Sequence, residues 1–186
     1  QIDGAYCKAH AAIETYGVLG YRDPTFQSLY KLRKKRDLTS DRLNLSLHAA
    51  HYLTADDIVP LLVLLLLETG LELECCKSLT LDCLRNAAGG TVDIAYTKLR
   101  AHGAEHKTIR VRDRGSSTPG GLIRRIIALS SKARVHNSSD NLWVYFQPNE
   151  ITAGIRQLRL KVSAWTQRHC ITDDQGKPLH LCLSHL

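Results

Sequence analysis

The sequence predicts a mostly helical α+β fold with a small antiparallel sheet. Three observations predict it. Ile58 to Leu67 is an apolar run suited to a buried helix and too short to span a bilayer. Thr91 to Tyr96 alternates with strand composition, and His106 to Val111 can return it across a turn at His102-Gly103-Ala104 as a hairpin. Ile151, Ile155, Leu158, Val162 and Trp165 recur at helical spacing and predict one buried stripe.

The elements follow in order. Ala5, Ala9, Ala12, Ile13 and Tyr16 share one side of a helical pattern that Gly17 and Gly20 end. Asp23-Pro24 marks a turn or a new helix start, and Phe26, Leu29, Tyr30 and Leu32 then trace a short amphipathic helix. Lys31, Arg33, Lys34, Lys35 and Arg36 form the strongest charge run. It could lie along a phosphate backbone or simply be a solvated helix end that favours the dipole. Asp37 to Asp41 reads as a loop. Leu43, Leu45 and Leu47 alternate over too short a stretch to separate strand from helix.

Two starts compete for the next helix. Thr54 with Asp57 makes a capping-box pattern but places Pro60 in the helix interior. A start at Asp57 keeps Pro60 in the first turn and is preferred. The run from Ile58 is apolar all round, so this helix is expected at the centre of the core, with Gly70 breaking it. Leu71, Cys75, Cys76 and Leu79 make the apolar face of a short helix. After the hairpin, Arg110, Arg112 and Arg114 share a face if the strand continues. Residues 116–121 read as a loop. Leu122, Ile123, Ile126, Ile127 and Leu129 have helical spacing, 132–141 is loop-like, and 142–146 is a short apolar run. Asn149 caps the last helix, 173–176 is a turn, and another element begins at Leu179.

The 186 residues are 44% hydrophobic and 23% charged, which suits one globular domain with or without a short extra piece. A net charge of +7 suits an anionic partner such as nucleic acid, although an idle basic surface has the same composition. The six cysteines match no small disulfide framework, which favours reduced thiols and a cytoplasmic protein. No signal peptide opens the chain, and both ends read as cut from a longer protein. No Gly-rich phosphate loop, Gly-x-Ser-x-Gly or His-Glu-x-x-His is present. His169, Cys170, His180, Cys182 and His185 raise zinc as a competing chemistry. Without a Cys-x-x-Cys pair, no metal is expected, and Cys75, Cys76 and Cys83 read as core residues.

One stretch, Leu53 to Val111, resembles the first half of the catalytic domain of the tyrosine recombinases (phage integrases). It runs from an apolar helix through Thr69-Gly70-Leu71 and a second helix to Leu79-Thr80-Leu81-Asp82, then to a hairpin carrying Lys98. The resemblance covers roughly Leu53 to Leu186. It implies a helical catalytic core over 53–186, incomplete at its C-terminus. Residues 1–52 would be a helical extension or the tail of a DNA-clamping domain. It implies cleavage and rejoining of double-stranded DNA through a tyrosyl intermediate in a mobile element, with no metal or nucleotide cofactor. It further implies protomers that assemble on DNA, tetrameric in the family, and a nucleoid location.

Residue by residue, Lys98 matches the lysine that acts as general acid toward the leaving 5′-oxygen. His185 stands beside the family's His-x-x-Arg histidine position, which Ser184 would hold. Arg100, His102, Lys107, Arg110 and Arg112 would meet DNA from the hairpin and its flanks. Glu72 stands where the family has the arginine of Thr-Gly-Leu-Arg, and no arginine lies between Gly70 and Leu84 to replace it. The second arginine and the nucleophilic tyrosine would lie beyond Leu186. Two rivals are a non-catalytic DNA-binding protein of the same fold, which Glu72 supports, and an unrelated helical interaction module.

Overall fold

The computed structural model describes residues 2–33, 39–100 and 103–179, the side chain of Arg100 excepted. In chain order its elements are α1 (Ile2–Tyr16), α2 (Pro24–Arg33), α3 (Ser40–His48), α4 (Ala55–Thr69), α5 (Leu73–Lys77), β1 (Leu84–Ala88), β2 (Thr91–Arg100), β3 (Gly103–Arg112), α6 (Pro119–Arg134), β4 (Val144–Gln147), β5 (Glu150–Ala153) and α7 (Leu158–Arg168). The fold is α+β and mostly helical, with an antiparallel sheet in the order β1-β2-β3 and a two-stranded sheet of β4 and β5. Two compact units divide the chain. The first holds Gln1–Thr54, Leu129–Ser139 and Val144–Thr152, and the second holds Ala55–Ala128, Asp140–Trp143 and Ala153–Leu186. The first unit therefore takes in later segments as well as the stretch that precedes residue 53.

In the first unit, α1 buries Ala9 and Ile13, while Tyr16, expected on the same side, is exposed. The alternating leucines 43, 45 and 47 belong to helix α3, whose N-cap Thr39 accepts a hydrogen bond from the Arg42 N–H. A cap and a following helical turn outweigh three alternating positions. His48 and Asn44 on α3 are fully buried and tie the helix to the loop after α1. The Leu19 N–H donates to His48 Nε2 at 3.0 Å, Asn44 Nδ2 donates to the Leu19 carbonyl at 2.8 Å, and His48 Nδ1 donates to the Asn44 carbonyl at 2.8 Å. The imidazole lies parallel to the Phe146 ring, with centroids 3.9 Å apart. Burial holds the His48 pKa down at about 4, and with both ring nitrogens engaged the neutral form is the one that fits. Gly17 closes α1 at φ 85°, and a Cβ there would meet the His136 ring at 2.5 Å.

In the second unit, α4 starts at Ala55 rather than Asp57, so Pro60 lies inside the helix. Its ring offers no N–H to the Asp56 carbonyl four residues back and crowds it, a cost that the buried apolar stripe of α4 outweighs. The run is not buried all round. Ile58, Val59, Leu62, Leu65, Leu66 and Thr69 form one buried stripe, whereas Leu64 and Leu67 are exposed. A helix with one side open to water needs only one apolar face. The Trp143 indole N–H, fully buried, donates to the Cys76 carbonyl at 2.8 Å. Cys75, Cys76 and Cys83 are buried thiols.

The hairpin is longer than expected and has a third strand. β1 lacks alternation and joins by pairing Leu84 with Ile94 and Arg85 with Asp93, with an irregularity before Ala88. α6 begins at Pro119, inside the expected 116–121 loop, because proline costs little at a helix start. It runs on to Arg134.

The last helix also differs. Asn149 caps nothing: it sits at φ 72° between β4 and β5 in a turn that Pro148 opens, and Gly154 follows at φ 77°. These backbone preferences break the helical period, so Ile151 lies in β5 and Ile155 before α7. Only Leu158, Val162 and Trp165 of the stripe remain on the helix. The turn at 173–176 is present, with Asp173 N–H bonded to the Lys177 carbonyl at 2.8 Å. Among the described residues no helix is long and apolar enough to cross a membrane.

Candidate nucleic-acid interface

The candidate site begins at the corner after α4. The Gly70 N–H closes on the Leu66 carbonyl at 2.9 Å with Gly70 at φ 65°, a left-handed helix end that glycine adopts without strain. The Thr69 hydroxyl donates to the Leu65 carbonyl at 2.6 Å and accepts from the Leu71 N–H at 3.2 Å. Leu71 is buried, which fixes the exit of the chain. Glu72 follows as the N-cap of α5 but makes no side-chain cap bond. Its carboxylate turns to Lys98 instead, and Oε1 accepts from Nζ across 26 residues of sequence.

Lys98 reaches that corner because of strand parity. It lies within β2, not after a strand as the sequence suggested, and shares a face with buried Val92 and Ile94. α5 packs against β2 on this side. Both charges act on the buried Cys75 thiol there, whose pKa burial raises, with Glu72 adding to the rise and Lys98 opposing it.

The register of β2 and β3 sorts the other basic residues. Tyr96 pairs with Lys107 and Lys98 with Glu105 on the Lys98 face. Thr91 pairs with Arg112, Asp93 with Arg110 and Thr97 with His106 on the opposite face. The expected contact set is thus divided: Lys107 goes with Lys98, and Arg110 and Arg112 go to the other side. Sequence reading could not show this, since a one-residue change in turn position exchanges the faces.

Acidic partners occupy most of these cations. Lys107 Nζ meets Glu105 at 3.1 Å. Arg110 donates to Asp93 Oδ1 at 2.9 Å, to the Thr91 hydroxyl at 2.9 Å and to the Asn86 carbonyl at 3.0 Å. Hydrogen bonds from Asn86 and Arg110 lower the Asp93 pKa. Arg124 holds Asp113, and its hydrogen bond lowers the Asp113 pKa. Arg112 is exposed and has no ion pair among the described residues. Arg114, which follows β3, donates to the Gly89 carbonyl at 3.0 Å.

Sequence reading missed Glu105, Asp93 and Asn86 as partners of the basic set. Their signal is the cross-strand register, which requires β2 to be carried to Arg100 and β3 to start at Gly103. His102, His180, Cys182, Ser184 and His185 lie outside the described residues, as do Lys34, Lys35 and Arg36 of the charge run. Lys31 is exposed at the end of α2, and the Arg33 guanidinium lies over the Tyr6 ring at 5.1 Å. His169 and Cys170 are exposed after α7, and among the described residues no group of three His, Cys, Asp or Glu side chains could hold a metal ion.

The class that fold and site define is a mostly helical α+β protein whose three-stranded sheet carries cations on both faces. No protein-family model matches the chain, and neither a curated protein nor a solved structure matches it.

Proposed function

We propose that this chain binds double-stranded DNA as the catalytic-core portion of a tyrosine-type site-specific recombinase of a mobile element. The observation that carries the reading is the meeting of the Thr69-Gly70-Leu71-Glu72 corner with Lys98. Two stretches far apart in sequence, each chosen for its likeness to that family, converge on one point. Lys98 would give its proton to the 5′-oxygen that leaves as a tyrosine oxygen attacks the phosphodiester. The attacking tyrosine is not assigned among the seven of this chain. On this reading the protomers assemble on DNA and work at the nucleoid.

One observation favours a second reading, a DNA-binding protein of this fold without catalysis. Position 72 holds a carboxylate that neutralises Lys98, where the family places a phosphate-clamping arginine. Both readings need duplex binding that weakens with salt. Titrating a labelled duplex at several salt concentrations tests this, with an expected loss of log K of about 0.9 per phosphate contact for each decade of salt. A flat response would sink both.

A further inference from the structure

We infer that Glu72 is an internal stand-in for a DNA phosphate, which holds Lys98 in the unliganded chain and must swing away before the amine can meet the backbone. This rests on the DNA-binding reading and adds to it a competitor built into the site. Two features support the inference. The Glu72 carboxylate leaves the N–H groups of α5 uncapped and turns to Lys98, so it serves the amine rather than the helix. A carboxylate presents a negatively charged pair of oxygens, as a phosphodiester does, and one ammonium cannot serve both fully.

Exposure decides which partner moves. The Glu72 side chain is 61% exposed and that of Lys98 only 25%, so the acid can rotate into water while the strand holds the amine. An ion pair whose acid is open to water contributes little net stability, which makes such an exchange easy for a polyanion with many phosphates to offer. Lys107 with Glu105 and Arg110 with Asp93 are occupied in the same manner along β2 and β3. Of these three pairs on the sheet, however, that of Glu72 alone joins a strand to a helix start, with no cross-strand pairing to hold it there.

The test is a duplex titration of the chain and four variants: Glu72→Gln, Glu74→Gln, Lys98→Ala, and Glu72→Gln combined with Lys98→Ala. Glu74 pairs with Lys77 on the same short helix, so its variant reports the effect of losing one negative charge and releasing a lysine other than Lys98. The expected result is binding tightened about three- to tenfold by Glu72→Gln, beyond any gain from Glu74→Gln. On the Lys98→Ala background that advantage should fall to the Glu74→Gln level. Equal gains from the two glutamines, or the same gain without Lys98, overturn the inference and leave salt-dependent DNA binding standing. Absence of binding by every variant overturns both.

Discussion

The buried polar core around His48 and the charged ribbon around Lys98 solve opposite problems. His48 and Asn44 are buried, uncharged and hydrogen-bonded on both sides to the backbone. Lys98, Lys107 and Arg110 are charged, partly or mostly open to water, and paired with acids. Removing one member of the first group strands a buried partner, which costs the full desolvation of that partner. Removing one member of the second leaves its partner to water, which costs little. The first network specifies structure; the second, on the proposed DNA-binding reading, can be exchanged for an outside ligand.

The contrast can be broken most directly at His48. His48→Ala leaves the Leu19 N–H without its acceptor and a void against Phe146, and should destabilise by about 3–4 kcal/mol in urea denaturation. A loss under about 1 kcal/mol would place this histidine with the ribbon's replaceable pairs. Acid should do part of the same damage. With the folded pKa at about 4 against an ordinary 6.5, the unfolded chain binds the extra proton between those values. Stability is therefore full above pH 6.5 and falls as the pH drops toward 4, by about 2–3 kcal/mol. His51, lowered by burial and by His10, adds in the same direction. His48→Gln should flatten the pH 7 to 5 part of the profile, and an unchanged slope would show that other groups cause it.

On the ribbon the expected effects are smaller. Arg110→Ala should cost under about 1 kcal/mol of stability. In DNA titrations it should weaken binding less than Arg112→Ala, because Arg110 already spends three donor contacts inside the sheet. The reverse order would mean that DNA recruits Arg110 away from Asp93. Smallest of all, Leu64→Gln on the open side of α4 should change stability by no more than about 0.5 kcal/mol, whereas Leu65→Ala should cost about 2–5 kcal/mol. Equal losses would show that the exposed side of α4 is covered in solution.

Much of this architecture was legible in particular residues. Gly70 marked the end of α4, Gly17 the end of α1, and the alternation from Thr91 marked β2. The candidate site was legible as two separate stretches, the Thr69-Gly70-Leu71 corner and Lys98, but not as a contact between them. The stripe from Ile151 to Trp165 misled, because Pro148, Asn149 and Gly154 impose turn geometry that hydrophobic spacing ignores. β1 left no signal, since Leu84 to Ala88 is mostly exposed and takes its strand form from pairing with β2.

By itself the sequence determined the class of fold, the main helix ends and the position of the hairpin, because glycine, proline and apolar period act over a few residues. Tertiary structure alone decided which face of α4 is buried, which cations share a side of the sheet, and that Glu72 meets Lys98. Those outcomes depend on register and packing between distant segments, where a shift of one residue reverses every side chain while leaving the local pattern unchanged.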